Sequence, residues 1–379
     1  MNIDYHYIIF ILVLLYLTFS KGNKEKKFKI AAWFSFLFIG LRACVVGADL
    51  YYYTRGYMGM DFYKGEEIEP LYKLYVEILS SIIKYEPFFV LMNTICSLVP
   101  IYFLIRSFST NKTLSILCFF LFNIYLFYFI ALRQILGLGV LILGVLYVLK
   151  EKRMKWAVYL LSSIIAYRFH SSMLIPALLF IILFFLKLKS RKFALSIIIT
   201  TAIVGIIGQF FDLQKIFNLF LNLNTGLTTD RLNEYMVNSS HTLNAHENSG
   251  YIYLLRYTWL GLFVFYFMDE DKLNHWFSKI FLISICLYNL FYNVDMISRM
   301  VLSFYFFSII VFTWAFGERY KRIISNAKYL KIIPLFIFLW FFQSYIRSHI
   351  GYELDDVDRL HPYYFFWENY QTHPSITRF

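Results

Sequence analysis

The sequence predicts an all-α, polytopic integral membrane protein with about twelve transmembrane helices, external loops and short amphipathic helices. Three observations lead there. First, 59% of the 379 residues are hydrophobic and only 16% are charged, with a mean hydropathy of +0.58. A soluble domain carries roughly 45–50% apolar and about 25% charged residues, so too little polar surface remains to coat a water-soluble globule. Second, apolar runs of a length suited to a hydrocarbon core, about 17–25 residues in a helix, recur along the chain. Third, Lys and Arg gather in alternate connections, as expected of loops retained in the cytoplasm.

In chain order the spans are expected near 5–20, 28–46, 87–105, 113–131, 134–149, 155–169, 171–186, 193–210, 251–268, 276–294, 298–316 and 329–346. The first run lacks the basic start and small-residue cleavage pattern of a secretory signal, so it is expected to remain as a span. Between the first two spans lies KGNKEKKFK; KEKRMK follows at 150–155, KLKSRK at 187–192, and Arg319, Lys321, Arg322, Lys328 and Lys331 come after span eleven. Connections on this side hold 22 basic and 6 acidic residues, against 14 basic and 18 acidic on the other. That sorting turns both termini away from the cytoplasm.

The chain is expected to form one membrane domain over 1–379 with three external elaborations. Residues 47–86 make a loop with an amphipathic segment near 71–85, residues 211–250 make a polar, Asn-rich loop, and residues 347–379 make an aromatic tail. In that tail Tyr352, Tyr363, Tyr364, Trp367 and Tyr370 accompany acids and His361, a composition that suits either a carbohydrate-binding surface or an interfacial anchor.

The formal charge of +12 does not mark a nucleic-acid binder, because the basic residues sit in short clusters between apolar runs and no known binding motif accompanies them. Cys44, Cys96, Cys118 and Cys286 all lie in apolar stretches without a CxxC pair, so neither a zinc site nor a disulfide framework is expected.

Charges at bilayer depth are costly, roughly 2.5–3.5 kcal/mol for Arg on insertion scales, and therefore mark candidate functional positions. Arg42, Arg133, Arg168, His170, Arg256, Asp295 and Arg299 all fall at the external ends of spans. Arg133-Gln134 interrupts the apolar stretch 113–149, and Arg168 to Ser172 interrupts 155–186. Helices of about 15–16 residues reach only about 24 Å, so the turns bearing Arg133 and His170 are expected below the outer surface, lining a cavity. A planar guanidinium matches phosphate oxygens, and several facing one cavity suit a diphosphate. In a membrane this points to a polyprenyl-diphosphate carrier. Each Arg has an alternative in snorkelling to the interface or pairing with an acid. His170 is a candidate general base or else a satisfied interfacial histidine. Asp49, Asp61, Glu66, Glu67 and Glu69 could bind sugar hydroxyls, supply a base, or simply be solvated. HExxH, Walker A and GxSxG motifs are absent, as is an acidic metal pair facing the cytoplasm, which argues against a nucleotide-sugar transferase. No metal and no cofactor are expected.

An ordered set of motifs resembles the Wzy-type O-antigen and exopolysaccharide polymerases of the EpsG-like family. It comprises Arg42-x4-Gly47-x-Asp49-x3-Tyr53, then Glu69-Pro70-Leu71-Tyr72, then Arg133-Gln134 with Gly137, Gly139 and Gly144, and finally Phe169-His170-Ser171-Ser172 before Pro176. Ala48 stands where threonine is commoner, and beyond residue 180 the likeness thins to Arg299-Met300 and the aromatic tail. The resemblance implies a glycosyltransferase at the periplasmic face of the bacterial inner membrane. Such an enzyme transfers a growing glycan from undecaprenyl diphosphate to the terminal hydroxyl of a new lipid-linked unit. Donor, acceptor and membrane lipid would be its partners, with a chain-length regulator protein as a further one. On this resemblance His170, Asp49 and Arg133 are the catalytic candidates, with His170 favoured as base. Arg42, Arg133, Gln134, Arg168, Arg256, Arg299, Glu69 and Tyr53 would bind diphosphate or substrate. A flippase for the same lipid-linked sugar and an O-antigen ligase are the rival readings.

Overall fold

A computed structural model describes residues 3–60, 68–150, 153–208, 250–291, 301–350 and 360–369. Among them every regular element is a helix, and the extended pairings are two isolated antiparallel bridges, Ile3 with Ile350 and Arg42 with Phe365. Three helices, Glu86–Phe108, Leu132–Lys150 and Lys328–Ser348, are long and apolar enough to cross a membrane; counting two bent pairs as single spans brings the number to five. The helices at Tyr5–Phe19, Ser171–Phe185, Leu254–Phe267 and Trp276–Phe291 are apolar but shorter. The expectation of twelve spans is therefore not reproduced among the described residues. One reason is visible near the expected span 113–131. Asn123 adopts a left-handed conformation with φ 59°, and the helices on either side of it bend by 60°.

The chain divides into two compact units, Met1–Leu179 with Phe341–Phe379, and Phe180–Trp340. In the first, α1 (Tyr5–Phe19) and α2 (Lys24–Gly40) are joined by a turn in which the Asn23 side chain accepts from the backbone N–H of Glu25 and Lys26. That cap satisfies donors that a helix start otherwise leaves orphaned. Next come α3 (Ala48–Tyr57), α4 (Pro70–Ile82) and α5 (Glu86–Phe108). Proline begins α4, where its missing N–H costs no helical bond. In α4, Tyr72, Val76 and Leu79 are buried, while Leu74, Ile78 and Ile82 form an exposed apolar stripe. The amphipathic segment expected near 71–85 is this helix.

The bent pair α6 (Lys112–Leu121) and α7 (Ile124–Ile130) leads into α8 (Leu132–Lys150), which returns as α9 (Lys155–Phe169). These two helices approach closely because α8 carries glycine where they meet. A methyl group added at Gly137 would come within 2.9 Å of the Ala166 carbonyl oxygen, and one at Gly144 would overlap the Ser162 side chain. Antiparallel packing of this kind brings the start of α8 beside the end of α9. A single 3₁₀ turn, Ser171–Met173, then starts α10 (Leu174–Phe185), within which the first unit ends.

The second unit contains α11 (Arg191–Gly208), α12 (Gly250–Phe267) and α13 (Trp276–Phe291). Buried Asn289 ties the three together. Its amide donates to the Ile198 carbonyl at 3.2 Å and the Thr201 hydroxyl at 3.1 Å, and its oxygen accepts from Thr258 at 2.8 Å. Buried polar groups cost free energy unless paired, so this satisfied set fixes helix register. The last long helix, α14 (Ile332–Ser348), carries the chain back to the first unit.

Candidate functional site

The starts of α4 and α8 and the end of α9 bring three sequence-predicted residues together. Glu69 immediately precedes α4, Arg133 lies in the first turn of α8, and His170 follows α9. Arg133 Nη1 donates to Glu69 Oε2 at 2.7 Å, with the two side chains 18% and 17% exposed. The other carboxylate oxygen of Glu69 lies 3.4 Å from the backbone N–H of Ser171. The Arg133 guanidinium also sits over the ring of Tyr53, 5.4 Å from its centroid. Tyr53 comes from α3 and meets the buried Tyr72 of α4 edge-on at 5.2 Å. Tyr75, three residues further on, packs against Phe169 at 6.0 Å. Aromatic contacts thus hold the start of α4 over the α8–α9 end.

The His170 ring has a defined orientation. Its Nδ1 accepts from the Ser172 backbone N–H at 3.2 Å and lies 2.7 Å from the Ser172 hydroxyl. A backbone N–H can only donate, so Nδ1 presents its lone pair and the neutral ring carries its proton on Nε2. Burial pushes the ring's pKa down to about 4; the Glu69 carboxylate opposes that shift and Arg133 reinforces it. His170 is consequently a neutral hydrogen-bond donor near pH 7.

Other predicted residues are placed differently. Arg42 is 2% exposed. Its guanidinium donates to the Ile39, Val46 and Tyr128 carbonyls and lies 4.4 Å from the Phe129 centroid. Its donors thus satisfy backbone carbonyls around the end of α2. Gln134 is buried beside Arg133, Asp49 is half-buried in the first turn of α3, and Arg168 is exposed at the end of α9. Arg256 belongs to the second unit, where it is buried with its guanidinium 5.9 Å from the Trp340 ring centroid. Arg299, Asp61, Glu66, Glu67 and Asp295 lie outside the described residues, as do most of the 211–250 loop, Tyr352 and Tyr370. The tail residues Tyr363 and His361 are only 1% and 3% exposed, so they belong to the interior and not to a sugar-binding surface.

Sequence reasoning missed what holds that tail. His361 Nδ1 faces Asp4 Oδ2 at 3.0 Å and its Nε2 faces the Ser348 carbonyl at 2.9 Å. The Tyr363 backbone N–H donates to the same Asp4 oxygen at 2.7 Å. His349 lies between, 3.3 Å from His361 Nε2 and 2.6 Å from the Tyr125 hydroxyl, with Tyr7 stacked on its ring at 3.9 Å. The backbone of Tyr364 and Phe366 pairs with that of Ala43 and Leu41 at 2.7 and 3.0 Å. Burial opposes ionisation of Asp4, but hydrogen bonds from His361, His6 and the Tyr363 backbone outweigh it and bring its pKa to about 2. No local pattern in the sequence marks Asp4; apart from His6, the partners that hold the tail, His361 and Tyr363, are over three hundred residues away.

Four elements of the first unit thus converge on the cluster of Arg133, Glu69, Tyr53 and His170. The sequence model of the EpsG family matches residues 27–365. The chain belongs to the EpsG family. The matched range takes in α3, α4, α8 and α9, hence every residue of this cluster. EpsG membership and the apolar helices together mark a membrane protein of exopolysaccharide-type polymerisation. No curated protein matches the chain, and no solved structure does.

Proposed function

We propose that this EpsG family protein is a glycosyltransferase that joins oligosaccharide repeat units carried on undecaprenyl diphosphate. The reaction would occur at the periplasmic face of the bacterial inner membrane, with about twelve spans and both termini outside the cytoplasm. Arg133 carries the assignment. It is a permanent cation in the first turn of a membrane-length helix, partly exposed, where the positive end of the helix dipole adds to its own charge. Anions are favoured at such a place, and a lipid-linked diphosphate is the anion a membrane polymerase of this family would handle.

On this reading Arg133 and the His170 Nε2–H face the diphosphate and stabilise the charge that develops as the glycosyl bond breaks. Preorganised donors aimed at developing charge are worth about 2.7–4 kcal/mol each in well-studied enzymes. Tyr53 backs the guanidinium and keeps it aimed. Asp49, half-buried in α3, is proposed as a sugar contact, and buried Gln134 as a substrate-binding residue behind Arg133. Arg42 is proposed as a support residue, since its donors are engaged by carbonyls. Arg168, exposed at the end of α9 in the same unit, is proposed as an additional cation toward the carrier. A chain-length regulator protein is proposed as a further partner.

Deleting the gene in a polysaccharide-producing bacterium tests the reading. Loss of a polymerase leaves lipid-linked or surface material capped with a single repeat unit. A complete absence of attached units would instead indicate a flippase or ligase and would overturn it.

A further inference from the structure

We infer that Glu69 is the base that takes the acceptor's proton, and that Arg133 holds it until a diphosphate displaces it. This rests on the polymerase reading above. Sugar transfer to a hydroxyl needs a group that accepts a proton, and the geometry removes His170 from that role. Its Nδ1 is engaged by the Ser172 backbone N–H at 3.2 Å, so its other nitrogen carries a hydrogen and donates. Glu69 is a carboxylate in direct contact with the proposed phosphate-binding cation, at 2.7 Å, and its 17% exposed side chain keeps it within reach of a substrate.

The pairing itself supplies the ordering. A carboxylate and a diphosphate are rivals for one guanidinium, since both offer paired oxygens to the same fork of donors. Before substrate arrives, Arg133 occupies Glu69 Oε2. When a diphosphate takes that place, the freed oxygen lies within about one hydrogen-bond length of the departing lipid head. The other oxygen stays near the Ser171 N–H, 3.4 Å away, and keeps the carboxylate in position. Chemistry then balances without a further reactant. The acceptor hydroxyl gives its proton to Glu69 while its oxygen bonds to the anomeric carbon. The bond from that carbon to the diphosphate breaks, and the electron pair remains on the diphosphate, held by Arg133 and His170 Nε2–H. Product release lets Glu69 pass the proton to water and return to Arg133. A base that is sequestered until the donor is bound also protects the activated glycan from transfer to water.

The experiment uses full-length protein in nanodiscs, with lipid-linked repeat units extracted from a strain lacking the gene. Polymer formation is followed by gel, and binding of undecaprenyl diphosphate is measured in parallel. Glu69→Gln keeps the shape and a hydrogen bond to Ser171 but accepts no proton. The expected result is undecaprenyl diphosphate binding equal to or tighter than wild type, with turnover lowered at least about 100-fold. Glu69→Asp should recover part of that turnover. Wild-type turnover in Glu69→Gln would overturn the proposal while leaving the polymerase reading intact. Loss of diphosphate binding together with turnover would make Glu69 a positioning residue and equally overturn it. If wild-type protein neither binds undecaprenyl diphosphate nor lengthens glycan, the polymerase reading itself fails.

Discussion

Glu69 and Arg133 meet at 2.7 Å although 64 positions separate them. Each stands at a helix start, Glu69 just before α4 and Arg133 in the first turn of α8. Two helix N-termini thus converge on one carboxylate–guanidinium pair, and their positive dipole ends add to the Arg133 charge. Part-buried pairs of this kind cost desolvation and are weak evidence of stabilisation. On the proposed function, such a pair would serve exchange with an anionic ligand.

Arg133→Lys should therefore be far from conservative. Lysine keeps the charge but loses the planar fork that engages two oxygens together and stacks over Tyr53. Expected is a fall in polymer yield of about 10²–10³-fold, the scale seen when one preorganised donor is removed. Protein level and membrane insertion should match wild type. Gel analysis of the polysaccharide with immunoblotting of membranes checks both.

At His170 the donor assignment predicts an order of substitutions. His170→Gln places an amide N–H near the Nε2 position and should retain most of the activity that His170→Ala loses. A histidine base could not be replaced in this way. The pH dependence follows from the folded pKa near 4. Between roughly pH 5 and 8 the folded ring stays neutral, so turnover should show no inflection near the ordinary histidine value of about 6.5. For stability the sign is the reverse of a salt-bridged histidine. As pH falls from about 6.5 toward 4 the unfolded chain takes up a proton that the folded ring refuses, and stability declines across that window.

Gly47→Ala should destabilise the protein without touching a charged group. Gly47 has φ 111° and ψ 132°, and an added methyl group would run into the Phe129 carbonyl. Backbone strain of this type costs of order 1–3 kcal/mol, before the clash is counted. A lower unfolding temperature in detergent, measured by intrinsic fluorescence, is expected. An unchanged value would show that the α2–α3 turn relaxes freely.

Asp4→Asn tests the attachment of the tail. The Asp4 carboxyl falls from 3.8 to about 2 on folding, a difference of about 2 kcal/mol by linkage. Because the folded value is the lower one, this stabilisation is complete above pH 4 and is lost as pH falls toward 2. The variant should thus unfold at lower temperature than wild type at pH 5–8, and the gap should close in strong acid. Thermal scans at several pH values read this directly.

Much of this protein was legible in its sequence, for identifiable reasons. Helix positions followed apolar runs, and the α4 stripe followed its spacing. Arg133 and His170 were visible as charges interrupting apolar stretches, whereas Gly137 and Gly144 entered only as part of a motif, and it is the structure that shows them letting α8 and α9 approach closely. Other features were not legible. The break at Asn123 depends on one residue in a left-handed conformation, which no periodicity encodes. Arg42 looked like the other cations, yet its donors are fixed by the local carbonyls of Ile39 and Val46 and by the distant one of Tyr128. The Asp4–His361 contact joins opposite ends of the chain, and Tyr363 read as a surface aromatic while the structure buries it.

Binding of undecaprenyl diphosphate to wild-type and Arg133→Ala protein in nanodiscs tests the central claim most directly. A guanidinium that grips the lipid's diphosphate predicts saturable binding by the wild type and affinity weakened at least about 10-fold in the variant, for a lost charge-assisted contact of about 1.5–3 kcal/mol. Equal affinity of the two proteins would contradict it.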